Sequence, residues 1–142
     1  MVAIVGELGD ELANARPDIP GANSPYVVLT HCLGVMEYWA GHVVAGRTIE
    51  RDRDAEFRAS GPVADLIERT RRQRAQLADD IAGLDPSAPP RGTEGLDPQD
   101  TELPLGRTQG GALIHLYEEL AQHHGQMEIT RDILHTPWAQ LA

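Results

Sequence analysis

The stretch SPYVVLTHCLGVMEYWAGHVV, residues 24–44, decides the fold. Ser24 and Pro25 suit the start of a helix, because a serine side chain accepts hydrogen bonds from free backbone N–H groups and proline has no N–H to lose. Apolar residues then recur every three or four positions and give this helix an unusually wide buried face. Gly34 and Gly41, seven residues apart, indicate that a neighbour comes close to it. The sequence therefore predicts a long, deeply buried helix.

Three further segments have helical periodicity, and none shows sustained strand-like alternation. The first helix covers residues 1–15 and ends before Pro17. The third helix begins at Ser60 and Pro62 and ends at Gly83 and Pro86. The fourth helix is capped by Thr108 and ends before Pro137. Residues 47–58 alternate in charge and indicate a solvated connection or an exposed extra turn. Residues 85–107 are rich in proline and glycine and indicate a long crossover loop between the third and fourth helices. The predicted fold class is all-α, a four-helix bundle in one domain over residues 1–142.

The composition excludes several classes of function. The formal net charge of −10, from 22 acidic and 12 basic residues, repels a phosphate backbone and makes nucleic acid an unexpected partner. No stretch reaches the roughly 20 apolar residues of a membrane span, and no basic leader opens the chain. The single cysteine, Cys32, cannot form an internal disulfide, so we expect a cytoplasmic protein. All the basic residues are arginine, a usage typical of a high-GC bacterial genome.

Two ionisable residues lie on or beside the core-facing stripe of the fourth predicted helix. Glu119 precedes His123 by four residues, which places their Cβ atoms about 5–6 Å apart on one helical face and suits two ligands of one metal ion. A pair with this spacing is more often only a surface hydrogen bond. His31 lies on the buried face of the second helix, where both ring nitrogens need partners. It is either a ligand or a core histidine bonded to a backbone carbonyl and a water.

Two segments of the chain resemble the DinB-like superfamily and, within it, the mycothiol-dependent, metal-containing S-transferases. They are NSPYVVLTHCLGVMEYW (residues 23–39) and HLYEELAQHHGQMEITRD (residues 115–132). The resemblance covers nearly the whole chain and implies a DinB/YfiT-like bundle. It also implies a divalent metal, held by one histidine of the second helix and two ligands of the fourth. His31 and His123 match two of these ligands. Glu119 falls where many members have histidine, although acidic residues occur there in mycothiol-using relatives.

The resemblance favours zinc as the metal, with nickel as the other metal common in the family. Three protein ligands that leave open positions are typical of a catalytic rather than a structural metal site. Two histidines and one carboxylate also form the facial triad of non-haem iron enzymes. The type of ligand therefore leaves iron open as an alternative.

The activity that the resemblance implies is the transfer of a low-molecular-weight thiol. A metal with open positions lowers the pKa of a bound thiol from about 8.5 and presents a thiolate to a small electrophile. The high-GC usage favours mycothiol over bacillithiol or glutathione. The expected function is therefore a mycothiol S-transferase that acts on small electrophiles in detoxification.

Arg74 lies on the core-facing stripe of the third predicted helix. It is a candidate anchor for an anionic group of the bound thiol or substrate. In the alternative interpretation, its stem packs in the bundle and its head reaches solvent.

Two other functions stay open. One is a metal-binding stress or partner-binding module without catalysis. The other is a thiol-dependent isomerase, although the resemblance gives that relative an extra C-terminal domain that we do not expect in this chain. The wide apolar faces, together with the resemblance, are compatible with a homodimer.

The remaining candidates have plainer interpretations. His115 lies about 12 Å along the helix axis from His123, and His42 is three turns from His31, so neither is expected to share the ion. Cys32 is expected to be a free core thiol. Three residues are candidates for the hydrogen bonds that orient the two imidazoles: Glu37, Glu118 and Gln126.

Overall fold

The structure of the chain is a computed structural model that describes residues 1–93 and 107–136. Within these ranges the chain is helical and contains no strand, which confirms the predicted all-α class. The elements are α1 (Val2–Asn14), α2 (Pro25–Met36), which continues as the π-helix π1 (Glu37–Val44), α3 (Arg53–Glu56), α4 (Val63–Ile81) and α5 (Gln109–His135). The four predicted helices correspond to α1, α2 with π1, α4 and α5. None of the described helices is long and apolar enough to cross a membrane.

Two of the helices begin as their sequences predict. The hydroxyl of Ser24 accepts the N–H of Val27 at 3.3 Å, and the hydroxyl of Thr108 accepts the N–H of Gly111 at 3.0 Å. Each of these bonds satisfies one of the backbone donors that a helix leaves free at its N-terminus.

The start of α4 is capped from another helix. Pro62 stands at the cap position and makes no side-chain hydrogen bond there. Instead, the carboxylate of Asp10 in α1 accepts the N–H of Val63 at 2.7 Å. The side chain of Asn14 adds two further bonds to the backbone of Gly61, at 2.9 and 3.1 Å. The predicted role of Ser60 in opening this helix is therefore taken by α1.

The long helix formed by α2 and π1 is the centre of the bundle. Every residue of α2 except Tyr26 is buried. Together α2 and π1 contact α1, α4 and α5, whereas α4 and α5 do not contact each other in the described part of the chain. The core contains the following fully buried side chains from three of these helices: Val5, Leu33, Val43 and Met127.

The π-helical segment supplies a backbone acceptor to the crossover. The carbonyl of Val43 accepts the N–H groups of Arg91 and Gly92, at 2.9 and 3.4 Å. Residues 85–93 contain no helix, as predicted for the crossover, and they dock on π1 through these bonds. The rest of the predicted crossover, residues 94–106, and the predicted stop at Pro137 lie outside the described residues.

Both glycines of the central helix lie against side chains, which confirms the predicted close approach. A Cβ atom at Gly34 would collide with the carboxylate of Glu56, and one at Gly41 would collide with the guanidinium of Arg47. These side chains belong to residues 45–56, which include the extra turn α3. The prediction that this segment is solvated is wrong for Glu56, which is only 7% exposed.

Candidate metal centre

The structure brings the three predicted ligands together where α2 and α5 pack against each other. One ligand atom from each of His31, Glu119 and His123 lies within 4.8 Å of the other two. The two imidazole rings meet edge to face, with centroids 4.9 Å apart. Because Zn–N and Zn–O bonds are about 2.0–2.2 Å long, small side-chain rotations would bring all three donors onto one ion.

The centre is buried on the side of α2 and open on the side of α5. His31 is 5% exposed, whereas the side chains of Glu119 and His123 are 29% and 25% exposed. The Glu119 carboxylate lies 3.5 Å from Nε2 of His123. An ion held here would be reached from solvent past α5, which is the arrangement that a site with open positions requires.

Glu56, the last residue of α3, contacts the imidazole of His31. Its Oε2 lies 2.8 Å from Nδ1 of His31. Arg51 donates to the same carboxylate from Nε at 2.7 Å and from Nη2 at 3.0 Å. Sequence reasoning missed Glu56, and the available signal was Gly34, whose missing side chain leaves room for this carboxylate.

The charge of Glu56 is stabilised at neutral pH. Burial alone raises the pKa of this carboxyl, but the hydrogen bonds from His31 and Arg51 and the positive charge of Arg51 outweigh burial and hold the pKa below its usual value. A buried carboxylate with two charged or polar donors stays ionised because they replace the water that it loses.

One of the three candidates for orienting the imidazoles contacts a candidate ligand ring. Oε1 of Gln126 lies 2.8 Å from Nδ1 of His123. Glu118 is exposed, and Glu37 lines a cavity of about 170 Å³ beside Arg51 and Glu56. Neither glutamate bonds to the two ligand rings in the described residues.

Cys32 is a free, buried cysteine, as predicted. Burial, with a further contribution from the charge of Glu119, raises the pKa of its thiol to about 12. The thiolate is the form that binds metals and attacks electrophiles. Cys32 is therefore protonated at neutral pH in the metal-free protein.

The other histidines lie outside the three-residue group. His115 packs on Trp39 with ring centroids 4.5 Å apart, and its Nε2 lies 3.9 Å from Glu119. His42 lies 2.9 Å from the carbonyl of Arg47 through Nδ1. The surface beside the Glu119 carboxylate is therefore aromatic, because Trp39 of π1 and His115 of α5 pack together there.

Arg74 is exposed on α4. No described contact links it with the three candidate ligands, so its role as an anchor stays a prediction. Arg51 and Arg69, from the α3 region and α4, line the cavity beside Glu56 instead.

The fold and the site together define a class: the protein is an all-α bundle with a candidate divalent-metal site. Two histidines and one glutamate from two packed helices form this site. The chain belongs to the mycothiol-S-transferase family, whose model matches residues 1–136. No curated protein matched the chain. The family match confirms the resemblance drawn from the phrases around His31 and His123, and it makes the protein a mycothiol-related transferase.

Proposed function

We propose that the protein is a metal-dependent S-transferase that joins mycothiol to small electrophiles. The observation that carries the proposal is the convergence of His31, Glu119 and His123 in a member of the mycothiol-S-transferase family. The family accounts for the thiol and the type of reaction. The three side chains account for the metal.

The donor set fits a divalent ion. Two imidazoles and one carboxylate are ligands of zinc, nickel and iron sites, and a set of three leaves positions for further ligands. Zinc is the proposed ion, with nickel or iron as alternatives. When bound, such an ion supplies one function, which is to lower the pKa of a thiol from about 8.5 so that the thiolate is present at neutral pH.

The residues of the chain have separate tasks in this proposal. His31, Glu119 and His123 hold the ion, and the carboxylate of Glu119 cancels one of its two positive charges. The side chains of Glu119 and His123 are partly exposed, and they leave an approach from solvent for mycothiol and the electrophile. Arg74 is proposed to bind an anionic group of one of these molecules.

The first test is the metal content of the purified protein. We expect about one divalent ion per chain, and loss of stoichiometric binding in His31→Ala and His123→Ala. His124→Ala is the matched control, because His124 is the next residue of α5, is exposed and pairs with Glu128 at 3.9 Å. Full metal content in both ligand variants, measured by elemental analysis, would discard the site.

The second test is the consumption of thiol in the presence of a haloaromatic electrophile. We expect turnover with mycothiol that a chelator stops, and slower turnover with glutathione and bacillithiol. Turnover with another thiol alone would overturn the choice of mycothiol. Bound metal without any turnover would favour a binding module, whereas isomerisation of a maleylpyruvate-like substrate would favour the isomerase.

The cellular role follows from the proposed reaction. Adding a thiol to a small electrophile removes its reactivity, so we propose detoxification in the cytoplasm. A homodimer is proposed as the assembly, and light scattering of the purified protein would measure it.

A further inference from the structure

The Arg51–Glu56 pair lies across α2 at Gly34. Arg51 donates to both oxygens of the carboxylate, at 2.7 and 3.0 Å. Glu56 is 7% exposed and fills the space that Gly34 leaves open. Bidentate pairs of this kind fix both side chains, because two parallel hydrogen bonds leave little rotational freedom.

A second pair of the same design lies across π1 at Gly41. Arg47 donates to both oxygens of Asp80, at 2.8 and 2.9 Å. Asp80 is 6% exposed, and the guanidinium of Arg47 lies against Gly41. The two carboxylates are therefore matched in burial and in their bidentate arginine partner. Asp80, which also accepts from Gln76 at 3.0 Å, provides an internal control for Glu56.

Only the first of these two pairs contacts a candidate metal ligand. Oε2 of Glu56 lies 2.8 Å from Nδ1 of His31. An ionised carboxylate accepts hydrogen bonds and donates none, so Nδ1 must carry the proton of this bond. Nη2 of Arg51 also lies 3.5 Å from Nδ1, but this contact is much longer than the 2.8 Å between Nδ1 and the carboxylate oxygen. The second ring nitrogen, Nε2, is then the one that faces away from this bond and is available to a metal ion.

We propose that the Arg51–Glu56 pair is a positioning device that holds His31 in the Nδ1–H tautomer before any metal arrives, with Nε2 as the ligand atom. Without such a partner, the imidazole of His31 would populate two tautomers and several ring orientations. Each state that does not present Nε2 to the ion weakens metal binding. The pair removes these states in advance. The role in metal binding rests on the proposed function, whereas the tautomer does not.

The first experiment starts from the wild-type protein and uses one variant. Nitrogen NMR of the metal-free protein, with ¹⁵N in the histidine rings, distinguishes a protonated from an unprotonated ring nitrogen. For His31 we expect a proton on Nδ1, the ring nitrogen that lies 2.8 Å from Glu56. In Glu56→Ala the Nε2–H form should become the major one. A His31 ring without a proton on Nδ1 in the wild-type protein would overturn the proposal.

The second experiment compares two variants by competition for zinc against a chromophoric chelator. Glu56→Ala should weaken zinc binding about 10–100-fold, the usual effect of losing such an orienting partner, whereas Asp80→Ala should change it by less than about 3-fold. Equal losses in the two variants would mean that both act through stability alone, which contradicts the proposal. If the wild-type protein binds no zinc, the proposed function fails and the NMR result alone decides the tautomer.

Discussion

The thiol of Cys32 follows His31 in the sequence and is 1% exposed in the folded protein. Burial raises its pKa from an ordinary value near 9.0 to about 12. Two consequences of this pKa can be measured without knowing the substrate.

The first consequence is low reactivity. At pH 8 a pKa near 12 in place of 9 lowers the thiolate fraction roughly 1,000-fold. We therefore expect alkylation of Cys32 in the folded protein to be slower than in urea by at least this factor, since burial also blocks access. Mass spectrometry after timed iodoacetamide treatment measures the rate. Rapid alkylation of the folded protein would show that the thiol is accessible or ionised.

The second consequence is a pH dependence of stability. Because the folded pKa is raised from 9.0 to about 12, the contribution of the protonated thiol is fully present below pH 9 and is lost as pH rises towards 12. The free energy of unfolding, measured in urea, should therefore fall more steeply above pH 9 for the wild-type protein than for Cys32→Ala. Parallel pH profiles would contradict the raised pKa.

Glu119 is the candidate ligand that departs from the commoner family pattern. Glu119→His supplies a neutral donor at the same helical position and should retain about one ion per chain, whereas Glu119→Ala should weaken binding markedly. Elemental analysis after dialysis measures both. If the alanine variant keeps a full ion, the third ligand must be another residue.

The separation of residues along the chain explains which parts of the site were predictable. Glu119 and His123 lie one turn apart on one helix, so their spacing alone predicts a shared face. His31 became a candidate because it interrupts an apolar face. Glu56 lies in a charged segment 25 residues after His31, and no local periodicity connects the two. Its burial depends on tertiary packing.

At the scale of single elements, the two glycines of the central helix make a matched pair. Alanine at Gly34 or Gly41 gains about 1 kcal/mol of helix propensity but adds a Cβ atom to a full space, which costs about 1–3 kcal/mol. The colliding groups of Glu56 and Arg47 are fixed in ion pairs and cannot swing away without breaking them. The net effect is a loss of up to about 2 kcal/mol for both variants, which urea unfolding measures.

The two glycine variants should differ in metal binding. Gly34→Ala displaces the carboxylate that holds His31 and should weaken zinc binding about 10-fold, whereas Gly41→Ala should leave it unchanged. The chelator competition described above measures this difference. A loss of affinity in Gly41→Ala equal to that in Gly34→Ala would show that the packing of the helix, rather than Glu56, controls the site.

The capping residue of a helix was predicted correctly where it is close in sequence to the helix start. The prediction failed where the capping residue comes from another helix. Ser24 and Thr108 act on N–H groups three residues away, within reach of a sequence pattern. The cap of α4 comes from Asp10, 53 residues before Val63. The π-helical form of π1 was not predicted either, because its apolar pattern is that of an ordinary helix.

For the whole molecule, a metal site between α2 and α5 links binding to stability. An ion that binds only the folded protein stabilises it by about 2.7 kcal/mol at 100 times its dissociation constant, a rise in Tm of roughly 5–10 °C for a domain of this size. We expect this rise when zinc is added to the metal-free wild-type protein and no rise in His31→Ala. An equal rise in both would place zinc elsewhere on the chain.

The architecture was predictable because four segments carry strong helical periodicity and one long segment carries none. The arrangement of the helices was not, because periodicity says which face is buried but not which partner covers it. The central position of α2 and π1 follows from burial on nearly every side, which the sequence suggests only as an unusually apolar segment.

The candidate ligands come from residue 31 and from residues 119 and 123, so the site joins two distant parts of one chain. Closing so long a loop is slow compared with forming local helix contacts. We expect the last helix to dock after the folding barrier has been crossed. Zinc should then slow unfolding in stopped-flow mixing while leaving the folding rate unchanged. Faster folding with zinc would mean that the ion instead recruits α5 early, as part of the folding nucleus.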